Sequence, residues 1–492
     1  MLKIERCDDL PLIGAILKQS NIATIFSEHY KDHGHWLGAS GGQTLFMWLL
    51  YILSESDHRL SHVEQWGEQN IETLKALTGL SDLRSLDLSD DRLGRLLDRL
   101  SKDEEWVDFE RSLSNRMVRE YKLQAVEQSS PIEAVVRLDS FNIPQHRAED
   151  DFFRRGYSKQ RRVDRPFCKA MMAALDMEEV GGDFPLATQL LAGNEADDSN
   201  YLPVIKRVRQ ILGEKNRLYV GDSKIGSHGN RLALAFTGDF YLCPLNGKQC
   251  TKEQLETLID QAPGIDQLPS INEAEGGKST TYYYELPSPV EMTSSTNGEK
   301  GTASDPPFSW QERRVLVHSV SFANDYNKGF DKRLQKAEEA LSKLLIRKPG
   351  RQVPKTEDAL KVKVAKVLQK HHVAAFFSIE YGTEVEESKT KGVRLKMGVT
   401  RNEAAIAQQR KRHGWRIFGT NLPKKIPAKR IVELYHDQYR IEHLFDRLIN
   451  QGTKLLPVYL KKPNRVKALT RLLAIAVQFS MIIQSKLRKA VK

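Results

Sequence analysis

Apolar residues recur at helical spacing in three stretches of the first 130 positions, at 10–17, 44–53 and 92–100. Ser89 and Asp90 stand where the last of these would be capped, and together the stretches predict a compact all-helical N-terminal domain over residues 1–130. At Pro131 the period changes. Ala134-Val135-Val136-Arg137-Leu138-Asp139 is a short run rich in β-branched residues that ends in an acid, the pattern of a buried strand.

Strand patterns follow at 170–176 and 186–191, then a helix pattern at 201–212, then Arg217-Leu218-Tyr219-Val220-Gly221-Asp222, a second apolar strand closed by an acid. Strand, strand, strand, helix, strand is the order of a ribonuclease-H-like fold, a mixed α/β sheet. Residues 131–247 are therefore expected to be the first part of such a core. Between 248 and 412 the regularity breaks down into strand-like 280–286 and 313–318, charged helices near 330–345 and 357–370, and strand-like 374–381 and 392–398. This stretch predicts a β-rich and helical insertion. The core resumes at 413–492 with a strand over 414–421, a long helix over 428–450 and C-terminal helices.

Charge is uneven. The 492 residues carry 75 Lys plus Arg against 64 Asp plus Glu, but residues 1–130 hold 15 basic and 22 acidic side chains while 401–492 hold 21 and 5. A second basic concentration, Arg154, Arg155, Lys159, Arg161, Arg162, Arg165 and Lys169, is interleaved with Phe152, Phe153, Tyr157 and Phe167. Cations neutralise phosphates and rings stack on bases, so nucleic acid is the expected partner. The longest apolar run, 472–483, is shorter than the roughly 20 residues of a spanning helix, and no membrane partner is expected. Four cysteines without a CxxC pair argue against a disulfide framework and structural zinc. These features, with the absence of a basic-then-apolar leader, predict a cytoplasmic, nucleoid-associated protein.

No GxxxxGK[ST] and no HExxH occurs. What remains is acidic. Asp139 and Asp222 each close an apolar strand, and neighbouring strand ends lie about 5 Å apart, close enough to share one hard cation. Glu442, within Tyr435-His436-Asp437-Gln438-Tyr439-Arg440-Ile441-Glu442, is the third candidate. A lone Asp at a strand end is more often a turn or cap residue, so only the joint context raises these three.

That context resembles the DDE transposases of bacterial insertion sequences, in the superfamily with a β-rich insertion before the catalytic Glu and a Tyr-Arg-Glu-Lys signature helix. The resemblance rests on six pieces in order. They are Leu138-Asp139-Ser140; Gly156-Tyr157-Ser158-Lys159 with Asp164-Arg165-Pro166; Gly193-Asn194-Glu195-Ala196-Asp197; Val220-Gly221-Asp222-Ser223-Lys224-Ile225; residues 414–421; and Tyr435, Ile441-Glu442 and Phe445 with Pro457-Val458-Tyr459 beyond. Gln438 and Ile449 stand where the family has its Arg and Lys.

The resemblance implies cut-and-paste transposition by a homodimer on double-stranded DNA, with terminal inverted repeats bound, ends hydrolysed and strands transferred. It implies Asp139, Asp222 and Glu442 as catalytic ligands of two Mg²⁺ ions, with Mn²⁺ able to substitute. Tyr157, Lys159, Arg161, Arg162, Tyr435, Arg440 and Arg447 are the candidate DNA contacts. Trp310 is the candidate wedge beside a flipped base, against an ordinary core role. Two other readings stay open: an impaired, transposase-derived DNA-binding protein, motivated by Gln438 and Ile449, and a structural nucleoid or RNA-binding protein.

Overall fold

The computed structural model describes the chain apart from residues 1–4, 6, 124–129, 134, 147, 157–163, 178–181, 214–215, 273–279, 295–307, 347–352, 386–392, 459 and 492. Tyr157, Lys159, Arg161 and Arg162 lie outside the described residues.

Seven helices open the chain: α1 (Leu10–Gln19), α2 (Ile22–His29), α3 (Gly41–Glu55), α4 (Leu60–Gln69), α5 (Ile71–Thr78), α6 (Asp90–Leu100) and α7 (Asp103–Glu120). Helix α3 begins at a capping box: Ser40 Oγ accepts from the Gln43 amide at 3.2 Å and Gln43 Oε1 from the Ser40 amide at 2.9 Å. Its Leu45, Met47, Trp48, Leu49 and Leu50 are wholly buried.

The core follows as β1 (Val135–Pro144), β2 (Phe167–Met177), β3 (Gly182–Ala192), α8 (Tyr201–Leu212), β4 (Leu218–Gly221), α9 (His228–Phe236) and β5 (Phe240–Pro244). Strands β1 to β3 form an antiparallel meander, β4 pairs parallel to β1, and β5 parallel to β4. This is the ribonuclease-H-like arrangement that the element order predicts.

Next come α10 (Lys252–Gln261), β6 (Ser270–Asn272), β7 (Thr280–Glu285), β8 (Val290–Thr293), β9 (Ser309–Ser319), α11 (Val320–Ser342), α12 (Glu357–His371), β10 (Phe377–Val385), β11 (Val393–Arg401) and α13 (Glu403–Arg412). The chain closes with β12 (Trp415–Thr420), α14 (Ala428–His436), α15 (Tyr439–Asp446) and α16 (Pro463–Val491). The insertion falls into two parts. Its strands continue the core sheet, in the order β3-β2-β1-β4-β5-β12-β9-β7-β6, with β8 paired to β9. Its helices and the β10–β11 hairpin enclose an apolar core of their own, built on Phe330, Leu334, Leu341, Leu360, Val364, Leu368 and Ile406.

The helix expected over 428–450 is broken. Arg137 Nη1 donates to the Leu434 carbonyl at 2.7 Å, while the Gln438 amide, the ordinary i+4 partner of that carbonyl, donates to Tyr435 O at 2.9 Å. Helix α14 ends there, α15 starts at Tyr439, and a π turn covers Arg447–Gln451.

Helix α16 changes two expectations. Among the described residues it is the one helix long and apolar enough to cross a membrane, and most of that apolar window is buried inside the protein. Val466, Leu469, Leu472, Leu473, Val477 and Phe479 share one core with α3, α6 and β3, each such side chain contributing about 1.5–3 kcal/mol of burial. The helix also spends cations that composition assigns to DNA. Arg465 grips Asp98 through two hydrogen bonds of 2.8 Å, Lys467 bonds Asp103 at 2.8 Å, and Arg471 pairs with Asp103 and donates to Leu100 O at 2.8 Å. The acidic N-terminal helices and the basic C-terminal helix thus neutralise each other in part.

Candidate active site

Asp139 is half-buried in the middle of β1, between the buried Leu138 and Ser140. Leu138 pairs with Gly221, the last residue of β4, so Asp139 and Asp222 are the next residues on two adjacent parallel strands. Gly221 permits this approach: a Cβ there would lie 3.2 Å from the Leu138 carbonyl and 3.1 Å from Ile225. Asp139 Oδ1 accepts from the Ser140 amide at 2.7 Å. Asp222 Oδ1 accepts from the Tyr201 hydroxyl at 2.8 Å and the Lys224 amide at 2.9 Å. Asp222 also lines a cavity of about 600 Å³ together with Lys252, Arg333, Arg412, Trp415 and Arg416.

Tyr201 is fully buried, and burial together with the charges of Asp222 and Asp139 drives its hydroxyl pKa far above the ordinary phenol. It stays a donor and turns one oxygen of Asp222 inward. Tyr435 packs against Phe418 with the rings tilted and 4.3 Å between centroids; burial raises its pKa too, opposed by Arg416 and reinforced by Asp222 and Asp139. A further acid stands behind the pair. Asp197 pairs with Lys224, accepts from Lys169 at 3.1 Å and takes a 3.2 Å hydrogen bond from Ser140 Oγ. Burial raises its pKa, but the two lysines outweigh that and hold the carboxyl below its usual range.

Glu442 is exposed on α15 and lines a second cavity of about 360 Å³ with Tyr435, His436, Gln438 and Tyr439. Phe322, Gly414 and Arg416 line both cavities, so the two adjoin. The structure thus brings Asp139 and Asp222 together and sets Glu442 along the same cleft. Among the described residues no three His, Cys, Asp or Glu side chains are gathered closely enough to hold a metal ion. The expectation that Asp139 closes its strand is corrected, because β1 runs on to Pro144; Asp139 inside β1 and Asp222 just past the end of β4, the latter with an oxygen tied back by Tyr201 and Lys224, are nevertheless the hard oxygen donors that Mg²⁺ or Mn²⁺ takes.

Arg440 donates to Asp176 at 2.8 Å and lies 3.0 Å from Asp437, with Arg137 and Asp183 in the same network, so its guanidinium braces the protein instead of facing DNA. Arg447 is half-buried at the end of α15, its pKa lowered by burial and then by Arg488. Trp310 is a core residue: it is 8% exposed, donates to Tyr241 Oη at 2.9 Å and stacks on Phe308, which leaves no indole face for a flipped base. Arg416, in contrast, lies 3.6 Å over the Phe322 ring between the two cavities, and among the described residues no carboxylate pairs with it. Arg416, Tyr201 and Lys224 are not among the site candidates that the sequence offers. Arg416 alternates with inward residues of β12, a usable signal, whereas nothing local marks Tyr201.

The Arg137 network carries a pH prediction. Burial pushes the Asp183 carboxyl up to about 8, against the pull of Arg137 and with Asp176 reinforcing it. The folded chain therefore binds a proton there that the unfolded chain, with a carboxyl near about 4, releases. This contribution is full below about pH 4 and is lost as pH rises toward 8. Urea midpoints of Asp183→Asn against the parent are expected to diverge across that window in favour of the variant; parallel curves would contradict the assignment.

The transposase DDE domain family matches residues 131–479, from the turn before β1 into α16, spanning both aspartate strands and the Glu442 helix. The chain belongs to this family. It is a DDE transposase with a ribonuclease-H-like core. The match leaves out the seven N-terminal helices. No curated protein matches the chain.

Proposed function

We propose that this transposase catalyses cut-and-paste movement of its own insertion sequence, cutting at bound terminal inverted repeats and joining the freed 3′ ends to target DNA. The reading is carried by Asp139 and Asp222, which follow the paired residues Leu138 and Gly221 on neighbouring parallel strands, with Asp222 oriented by a buried tyrosine. Asp139, Asp222 and Glu442 are the residues that would hold two Mg²⁺ ions, with Mn²⁺ as substitute. Bound ions of this kind polarise an attacking oxygen and stabilise a leaving one.

The chain's own groups do the rest. Tyr201 and the Lys224 amide fix the rotamer of Asp222, Arg416 offers a guanidinium to a phosphate between the cavities, and Phe322 keeps that guanidinium flat. Lys252, Arg333 and Arg412 add cations to the lining of the cavity that Asp222 and Arg416 share. A homodimer holding two ends on the nucleoid completes the reading. Replacing Tyr201 by Phe removes one hydrogen bond to Asp222 without opening a cavity, and is expected to slow strand cleavage about ten-fold with end binding unchanged. An unchanged rate would remove Tyr201 from the site.

The deciding assay is footprinting and cleavage by purified protein on DNA flanking its gene, with and without Mg²⁺. End-specific cuts that need the ion support the reading. End-specific binding without cleavage in either Mg²⁺ or Mn²⁺ favours the impaired protein, a reading motivated by Gln438 and Ile449 at the family's Arg and Lys positions.

A further inference from the structure

The break in the Glu442 helix is bound to the strand that carries Asp139. Gln438 Nε2 donates to the Leu138 carbonyl at 3.1 Å, and Arg137 Nη1 donates in the opposite direction to Leu434 O at 2.7 Å. The residues on either side of this pair of bonds are Asp139 and Glu442 themselves: Leu138 and Arg137 immediately precede Asp139, and Gln438 lies one helical turn before Glu442. A second set of bonds runs beside the first. Arg137 Nη2 and Arg440 Nη1 take the two oxygens of Asp176 at 2.6 and 2.8 Å, and Arg440 Nη2 lies 3.0 Å from Asp437 at the break.

We propose that Gln438, with Arg137, acts as a strap that sets the position of Glu442 against Asp139, making Gln438 a positioning residue for the reaction. This rests on the reading of Glu442 as the third ligand. The physical case has two parts. Helix α15 is short and detached from α14, and beyond the Arg440–Asp176 bond it is seated on the sheet by apolar contacts, Ile441, Leu444 and Phe445, the last with its ring centroid 4.4 Å from that of Phe141. Such contacts hold it down, but they are non-directional and leave rotation about the break weakly opposed. Hydrogen bonds to a strand carbonyl are directional and define that rotation. A cation at this position could serve a phosphate; the amide found here is turned inward to the strand.

Hydrogen exchange of the full-length protein, without metal or DNA, tests the strap independently of turnover. Gln438→Met keeps the length and loses the donor. Amides of 439–446 are expected to exchange about five-fold faster in that variant, the loss of one neutral hydrogen bond, with the thermal midpoint little moved. Gln438→Lys, which keeps a donor, is expected to restore most of the protection. On cleavable DNA, Gln438→Met is expected to lower kcat about ten-fold and leave KM unchanged, as a misplaced ligand does. Unaltered exchange over 439–446 would overturn the strap. Faster exchange with unaltered kcat would overturn its positioning role. Should the parent protein cut no DNA while the exchange change is present, the strap stands and the catalytic reading of Glu442 falls.

Discussion

Asp139→Ala and Asp222→Ala are each expected to reduce strand cleavage by about 10³-fold or more while changing end binding by no more than about two-fold. Both carboxylates are half-buried, Asp139 within β1 and Asp222 just past the end of β4, and neither fills the apolar core. Asp139 receives an amide hydrogen bond from Ser140, and Asp222 receives one from the Tyr201 hydroxyl and one from the Lys224 amide. Truncation therefore removes oxygen donors from the cleft and leaves the β1–β4 ladder in place. Glu442→Ala is expected to behave alike in cleavage and to be milder in stability, because Glu442 is exposed. Single-turnover cleavage of labelled ends, read beside a gel-shift titration, separates the two effects. Cleavage retained within about ten-fold in Asp222→Ala would sink the assignment of the site.

The largest effect on stability is expected from Glu312→Ala, about 3–5 kcal/mol. Glu312 is wholly buried on β9, where its carboxylate pairs with Arg231 of α9, accepts from Tyr241 of β5 at 2.8 Å and from Arg314 at 3.2 Å. Burial pulls the pKa of Arg231 down, but Glu312 outweighs it and holds the guanidinium above its ordinary value. Removing Glu312 strands a cation that is only 2% exposed. It also frees Tyr241, whose hydroxyl in turn receives the Trp310 indole, so the loss runs across three elements. Urea unfolding measures it, and a change below about 1 kcal/mol would mean that the network contributes little.

Much of the catalytic core is legible in the sequence. The run ending at Asp139 lies in β1, which continues beyond it to Pro144, the run ending at Asp222 passes through β4, and helix 201–212 is α8. Period and β-branching carry that information because both faces of a central strand are buried. Helix α11 begins ten residues before the expected start at 330, since Ser319 caps it directly at the end of β9, its side chain accepting from the Phe322 amide at 3.3 Å. The break at 437–438 was not legible. Helical periodicity runs through it unbroken, and its cause is a guanidinium some 300 positions away in sequence. Trp310 shows the same limit: an aromatic residue in a strand is written identically whether its indole meets a base or a tyrosine hydroxyl.

The net charge marks the boundary between the two kinds of knowledge. By itself the sequence determined the family, the order of core elements and the identity of the three candidate acids, because these depend on residue type, period and spacing, which are local. Only the tertiary structure decided which charges face outward. Arg465, Lys467 and Arg471 belong to the most basic segment of the chain, yet they are used on Asp98 and Asp103 of the acidic helices. Arg440 is used on Asp176, whereas Arg416 is left beside the cleft. A charge count cannot distinguish these cases, since a cation paired at 2.8 Å inside the fold has already exchanged its hydration for a carboxylate and has little left to give a phosphate.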